Sequence, residues 1–174
     1  MPLLKDARVI DDPWRHADDT ESLPESVPAT VSWKRWSVER EALARRSGQL
    51  GLRLPNDVAA FALAPDIGRF DLVALDFPRF TDGRAYSQAR VLRSRLAFRG
   101  ELRATGNVLR DQLLFMRRCG IDAFELRDPA LAAEWIAALG DFDVFYQPGE
   151  DGGPWIARQR ARLAARPAAK SGVP

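Results

Sequence analysis

The feature that most constrains the fold of this chain is a repeated alternation of short apolar runs with segments of helical periodicity. Residues 72–75 (LVAL) form a continuous apolar run, which is typical of a β-strand that is covered on both faces. Residues 82–98 then carry apolar side chains at spacings of four, three and four, the pattern of one helix face. Because strands that are separated by helices need crossover connections, this alternation predicts a mostly parallel sheet.

The same alternation extends over most of the chain. Strands are predicted at residues 31–36, 50–54, 71–76, 101–105, 123–127 and 143–146. Helices are predicted at residues 37–46, from about residue 57, and at residues 82–98, 108–119 and 129–139. Six strands are too few to close an eight-stranded barrel. We therefore expect an α/β domain of repeated βα units with an open sheet, with a half-barrel-like layout as the alternative.

The domain organisation follows from length and local composition. A chain of 174 residues with 46% apolar content is long enough for one domain with a substantial core. Residues 1–30 are predicted to be an N-terminal hairpin and linker arm, because a Lys5-Asp6 turn is followed by acids, serines and three prolines. Residues 31–147 are the α/β domain, and residues 148–174 are predicted to be a flexible basic tail.

Composition argues against several function classes. The 26 lysines and arginines balance 24 acids, and a net charge of +2 gives no support for a nucleic-acid or membrane partner. Cys119 is the only cysteine and His16 the only histidine, so we expect no cofactor and no metal site. We expect Cys119 to be a buried structural thiol and His16 to be solvated in the linker. The N-terminus has no signal-like or membrane-spanning run, which predicts a cytoplasmic protein.

Two tryptophans flank the first predicted strand of the α/β domain. Trp33 and Trp36 are three residues apart, so in a strand they would point to opposite faces. One would then be a core residue and the other an exposed aromatic at a protein interface. Two ordinary core aromatics are an equally good interpretation.

The candidate site is the polar loop and helix start at residues 77–90 (FPRFTDGRAYSQAR), directly behind the buried strand. A loop that leads from a strand to a helix N-terminus is the usual place for a ligand in an α/β protein, and the arginines predict an anion. Equally, the acids and arginines could pair with one another and hold the turn. The parallel sheet would bring further polar residues to the same edge. The full set of candidates is Asp76, Arg79, Thr81, Asp82, Arg84, Tyr86, Arg90, Asn107, Arg110, Glu125 and Arg127.

Two longer segments carry a family resemblance. ALDFPRFTDGRAYSQARVLRSRL and GELRATGNVLRDQLLFMRRCGIDAFELRD closely resemble the DUF934 family of proteobacterial proteins over residues 72–128. Genes of this family commonly lie beside sulfite reductase, and its members are described as probable oxidoreductases. That description rests on gene context and assigns no catalytic residue, so whether the chain is an enzyme stays open.

The resemblance implies an accessory role in assimilatory sulfite reduction, by docking with sulfite reductase or its electron donor. The alternative is an enzyme or sensor that binds a small oxyanion, such as sulfite, at the ends of the strands.

Overall fold

The computed structural model describes residues 2–142, 144–153, 155, 156, 160 and 161. Within them, one sheet contains β1 (Pro2–Lys5), β2 (Arg8–Asp11), β3 (Arg15–His16), β4 (Ala29–Ser32), β5 (Leu50–Leu54), β6 (Leu72–Phe77), β7 (Glu101–Gly106) and β8 (Ala123–Glu125). The α-helices are α1 (Trp33–Ala44), α2 (Arg84–Arg90), α3 (Leu113–Arg118) and α4 (Ala132–Ala138). A π-helical turn, Val91–Arg95, extends α2, and 3₁₀ turns lie at Ala60–Leu63, Ile67–Arg69, Arg110–Gln112 and Pro129–Leu131.

The sheet is mostly parallel, as the alternation predicts. Its strand order is β2-β1-β8-β7-β6-β5-β4-β3, with β3 to β8 parallel and β1 antiparallel to both of its neighbours. Each parallel strand pairs with the next one in sequence, so the order never reverses and the sheet winds in one direction, as in part of a βα barrel.

The sheet is strongly curled. His16 on β3 and Glu125 on β8 are separated by four strands in the sheet order, yet His16 Nε2 lies 4.0 Å from Glu125 Oε1. A flat sheet would hold these strands roughly 20 Å or more apart, because neighbouring strands are about 4.8 Å apart. The half-barrel-like layout is therefore the correct one of the two predicted layouts.

The apolar core lies between the outer, convex face of the sheet and the helices. The predicted apolar run is buried throughout, with Val73 and Leu75 in this core and Leu72 and Ala74 on the concave face. The principal core residues are Val31, Leu52, Leu54, Val73, Leu75, Phe77, Leu102, Ala104 and Phe124 from strands, and Trp36, Leu43, Ala85, Ala89, Leu92, Leu113, Met116 and Trp135 from the helical layer.

The N-terminal hairpin is confirmed, and the segment after it is more ordered than a mobile linker. The hairpin turns at Asp6 and Ala7, which both have positive φ (50° and 55°), as a two-residue hairpin loop requires. The following segment then crosses the concave face, where Ala17 is completely buried and β3 pairs with β4. The first 30 residues therefore belong to the same sheet as the rest of the chain.

A buried arginine holds this N-terminal segment in place. Arg103 on β7 is completely buried on the concave face, and its Nη1 and Nη2 donate to Asp12 Oδ2 and Oδ1 at 2.6 and 3.1 Å. Its Nε donates to Glu101 Oε1 at 2.8 Å, and Lys5 Nζ lies 2.7 Å from Glu101 Oε2. Burial by itself would raise the pKa of Asp12, but hydrogen bonds from Arg103 and the Trp14 backbone lower it overall.

Several element boundaries differ from the prediction. The strand predicted at 31–36 ends at Ser32, because the Ser32 hydroxyl accepts a hydrogen bond from the Arg35 N–H (3.0 Å) and starts α1 there. Both tryptophans consequently lie on α1, where Trp36 is buried against Phe70 and Trp33 is half-buried.

The end of the chain is only partly described. In place of the strand predicted at 143–146, the described residues show one bridge between Phe145 and Trp155, and Asp143 lies outside the described residues. Most of the predicted tail at 148–174 also lies outside them. No helix in the described part of the chain combines the length and the apolarity needed to cross a bilayer.

Arg103→Met is predicted to lower the free energy of unfolding by about 3–5 kcal/mol at pH 7, because it leaves the buried carboxylate of Asp12 without its cation. The penalty should shrink below about pH 4, since the ion pair contributes stability that is lost as the pH falls through the lowered pKa of Asp12. Urea unfolding at pH 7 and pH 3 measures both effects.

Arg95→Met is the matched control, because Arg95 is exposed and makes no ion pair within the described residues. Asp12→Asn should cost much less in the Arg103→Met background than in the wild type. A loss below about 1 kcal/mol for Arg103→Met would contradict a holding role for this ion pair.

Candidate functional site

Most of the candidate residues lie at two places at the C-terminal edge of the parallel strands. One is the loop after β6 and the start of α2, on the rim of the sheet. The other is a cavity on the concave face, over the C-terminal ends of β4 to β7. Their chemistry differs, because the rim exposes arginines and aromatic rings whereas the cavity combines opposite charges with an apolar wall.

Asp82 organises the loop after β6. Its carboxylate accepts from Arg84 Nε and Nη2 (3.0 and 2.7 Å), from the Arg84 backbone N–H (3.3 Å), and from Asn56 Nδ2 (2.8 Å). The hydrogen bond from Arg84 is the main reason why the pKa of Asp82 lies well below its usual value. Arg84 therefore has its charge matched inside the loop, and this geometry corresponds to the turn-holding interpretation of these residues. Anion binding by this loop stays a prediction.

Two buried amides that sequence reasoning missed tie this loop to the connection after β5. Asn56 is 9% exposed and binds Asp82, as described. Gln88 on α2 is 5% exposed, and its Nε2 donates to the carbonyls of Pro55 (2.8 Å) and Val58 (2.7 Å). A glutamine at an apolar position of the α2 pattern was the available signal, since a buried amide requires partners.

A ladder of aromatic rings runs from the core to the rim. Phe77 packs edge-on against Tyr86 (5.2 Å between ring centroids), and Tyr86 packs against Phe115 on α3 (4.9 Å). Burial raises the pKa of Tyr86 to about 12. Phe115 is 58% exposed and Phe80 is 59% exposed. Of the two phenylalanines of the FPRF motif, only Phe77 therefore packs on the sheet.

Besides Arg84, four arginines of the candidate set lie on or near this rim. The guanidinium groups of Arg79, Arg90 and Arg127 are exposed and make no hydrogen bond or ion pair within the described part of the chain. Arg110 Nη2 lies 3.8 Å from Asp141 Oδ2. Thr81 is exposed and Asn107 is half-buried, and Gln112 Nε2 donates to the Phe80 carbonyl at 3.2 Å, which links the loop to the start of α3.

The concave cavity has a volume of about 350 Å³ and lies over β4 to β7. Asp76 and Thr105 are opposite each other on β6 and β7, and Arg53 opposes Ala74, two residues before Asp76. Asp76 and Arg79 make no ion pair among the described residues, because Asp76 lines the cavity whereas Arg79 is exposed on the loop. The cavity is lined by Asp19, Ser32, Trp33, Lys34, Arg53, Leu54, Pro55, Ala74, Asp76 and Thr105.

Burial raises the pKa of Asp76, and no donor among the described residues reaches its carboxylate. The Thr105 hydroxyl donates elsewhere, to the Leu75 carbonyl at 3.2 Å. Arg53 was missed by sequence reasoning, although the polar residue inside the apolar strand LGLRL signalled a concave-face position.

Glu125 lies in a cluster with Asp12 and His16, and not with the other candidate residues. His16 Nε2 lies 3.0 Å from Asp12 Oδ2 and 4.0 Å from Glu125 Oε1, and His16 Nδ1 lies 2.9 Å from Thr30 Oγ1. His16 is exposed, as predicted, but the curl of the sheet also gives it partners on distant segments of the chain. Burial raises the pKa of Glu125.

Asp12, His16 and Glu125 present possible ligand atoms within 4.8 Å of one another, which is the spacing of a cation site. Asp12 Oδ2 already accepts from Arg103 Nη1 at 2.6 Å, however. A metal ion here would lie next to a buried guanidinium, so the geometry favours a hydrogen-bonded cluster over a metal centre.

A larger cavity, of about 600 Å³, lies at the opposite edge of the sheet, where β7 and β8 begin. Its most buried cation, Arg93, donates to the carbonyls of Phe98, Gly100 and Gly120 and to Asp122, so it is occupied in holding the chain together. The smaller cavity over the strand ends contains the candidate residue Asp76. Cys119 is buried, as predicted, and burial raises the pKa of its thiol.

Asp76→Asn is predicted to raise the melting temperature at pH 7 and to leave it unchanged at pH 3. Burial raises the folded pKa of Asp76 above its usual value, so the charged form is disfavoured in the folded state and the penalty from Asp76 falls as the pH falls. Asparagine removes this penalty only where Asp76 is ionised. Asp57→Asn, at an exposed aspartate, is the control for differential scanning calorimetry. A lower melting temperature for Asp76→Asn at pH 7 would contradict the prediction.

Comparison with known proteins agrees with the family resemblance of the loop motif. A family model described as a bacterial protein of unknown function (DUF934) matches residues 51–155, from β5 to beyond α4. No curated protein matches the chain significantly. The match includes the loop after β6, most of the cavity lining and Arg103, and it covers more than half of the sequence. The chain therefore belongs to the DUF934 family.

Proposed function

We propose that this protein is a cytoplasmic accessory protein of assimilatory sulfite reduction that docks with sulfite reductase or with the protein that supplies its electrons. The pathway comes from the gene context of the DUF934 family. The observation that carries the docking role is a pair of exposed phenylalanines, Phe80 and Phe115, on a rim that also carries exposed arginines. We call this surface, formed by Arg79, Phe80, Tyr86, Arg90 and Phe115, the docking face.

The apolar part of the docking face has the properties of an interface centre. More than half of each phenylalanine is in contact with solvent, and burying such rings against a partner is favourable by about 25 cal/mol per Å². Phe115 rests on Tyr86, which rests on the buried Phe77, so the ring is held in position before a partner arrives. A preorganised aromatic side chain loses little conformational entropy on binding.

The charged part of the docking face favours an acidic partner. Arg79 precedes Phe80 in the loop, and Arg90 lies one helical turn after Tyr86 on α2. No acid among the described residues pairs with either guanidinium, so both charges are available. Arginines around an aromatic centre attract an acidic surface over several ångströms and accelerate association. A docking role of this kind needs no redox group in this chain.

The alternative is a small oxyanion, such as sulfite, bound at the loop of Arg79, Asp82 and Arg84. At that loop the charge of Arg84 is already matched by Asp82, to which it donates two hydrogen bonds, so a bound anion would lie beside a carboxylate. The docking role uses Arg79 and Arg90, whose charges are already available. The contacts therefore support docking more strongly than oxyanion binding.

The double variant Phe80→Ala/Phe115→Ala is predicted to lose at least tenfold in affinity for the partner while keeping its fold. An aromatic residue at an interface centre contributes about 2 kcal/mol or more. Pull-down from an extract with the tagged wild type should recover sulfite reductase or its electron donor, and the double variant should not. Phe61→Ala is the matched control, because Phe61 is 57% exposed but lies in the connection between β5 and β6.

The charge-reversal variant Arg79→Glu/Arg90→Glu should weaken recovery most at low salt, where steering is strongest. Equal recovery of the reductase by the wild type and both double variants would contradict docking through this face.

Deletion of the gene is predicted to impair growth on sulfate or sulfite as sole sulfur source, and cysteine should restore growth. A copy that encodes Phe80→Ala/Phe115→Ala should fail to complement, whereas Phe61→Ala should complement. Growth rate in minimal medium is the measurement. Normal growth of the deletion strain on sulfate, together with no reductase in the pull-down, would leave oxyanion binding as the better account.

A further inference from the structure

The concave cavity contains two opposite charges that do not pair with each other. Arg53 on β5 and Asp76 on β6 lie on neighbouring strands with an offset of two residues, and both line the cavity. Arg53 and Asp76 make no ion pair with each other. Neither of them forms an ion pair with another residue in the described part of the chain. Charged groups that share a partly desolvated cavity normally pair or bind a third group.

Each of the two charges has unused hydrogen-bonding capacity. Arg53 donates through Nη2 to the Ala17 carbonyl at 2.6 Å, and in the described part of the chain its Nε and Nη1 make no hydrogen bond. Asp76 accepts no hydrogen bond from the described residues, and burial raises its pKa. The cavity therefore offers a planar donor on one side and an acceptor on the other.

The remaining walls decide where a ligand can place its groups. The N-terminus of α1 also faces the cavity, but Asp19 occupies it, since the Ser32 hydroxyl donates to Asp19 Oδ1 at 2.5 Å. The other cation of the lining, Lys34, already lies 3.9 Å from Asp19 Oδ2, so an incoming anion is directed to Arg53. Trp33, Leu54 and Pro55 form an apolar wall. A volume of about 350 Å³ lies at the lower end of the range for small-molecule sites, roughly 300–1,000 Å³.

We propose that the concave cavity binds a small zwitterion, an amino acid or a closely related molecule. Its carboxylate accepts hydrogen bonds from Arg53, its ammonium group donates to Asp76, and its apolar portion packs on Trp33. Residues on neighbouring strands with this offset are about 7–8 Å apart, a distance that one small molecule with two opposite charges and a hydrogen bond at each end can bridge. The site is independent of the docking face and uses none of its five residues.

Three probes with a shared carbon skeleton test the proposal by isothermal titration calorimetry and by amide chemical shifts. L-Phenylalanine carries both charges, 3-phenylpropionate carries only the carboxylate, and 2-phenylethylamine carries only the ammonium group. L-Phenylalanine is expected to bind at least tenfold more tightly than either single-charge probe. The shifts should be largest at Trp33, Arg53 and Asp76.

Two variants test which protein side chain binds each charged group of the ligand. Asp76→Asn should reduce the affinity for L-phenylalanine at least tenfold and leave that for 3-phenylpropionate unchanged, and it is expected to fold because it removes an unfavourable charge. Arg53→Met should abolish the advantage of L-phenylalanine over 2-phenylethylamine. Arg95→Met is the control and should change nothing. Equal binding of all three probes, no shifts at 10 mM L-phenylalanine, or an unchanged affinity in Asp76→Asn would overturn the proposal.

Discussion

The ion pairs of Arg103 are the interaction on which the rest of the structure depends. A half-barrel exposes its concave face, and a guanidinium on that face remains buried only if its charge is matched. Asp12, 91 residues away in sequence, accepts hydrogen bonds from Arg103 with both carboxylate oxygens, and Glu101 accepts from its Nε. Once Asp12 is held there, the chain that follows it must cross the concave face. That crossing covers the open side of the sheet and places β3 beside β4.

Because the N-terminal segment covers the concave face, the sheet can be stable without closing into a barrel. The crossing segment buries Ala17, places His16 between Thr30 and Asp12, and supplies the carbonyl that Arg53 binds. A cavity remains at the C-terminal ends of β4 to β7, where the segment leaves the sheet. The N-terminal residues therefore cover the face that further strands would enclose in a complete barrel.

Two chemically different surfaces meet at this edge because side chains alternate along β6. Phe77 points to the outer core and begins the aromatic ladder that ends at Phe115, whereas Asp76 points to the concave cavity. The loop after β6 then uses Asp82 and Arg84 to fix its own shape. Its structural charges are separated from the exposed arginines of the docking face. A protein partner and a small ligand could therefore occupy the same edge without competing for residues.

The sequence by itself determined the α/β class, the parallel strands β5 to β7 and the position of the loop after β6, because these depend on local periodicity and on turn-forming residues. It did not reveal that Arg53, Arg103 and Glu125 share a concave face, since that depends on register across strands far apart in sequence. For the same reason it did not reveal that the exposed His16 binds Asp12 and Thr30. Only the tertiary structure decided between an open sheet and a half-barrel, because curl arises from long-range contacts such as Asp12 with Arg103, for which no short segment carries a signal.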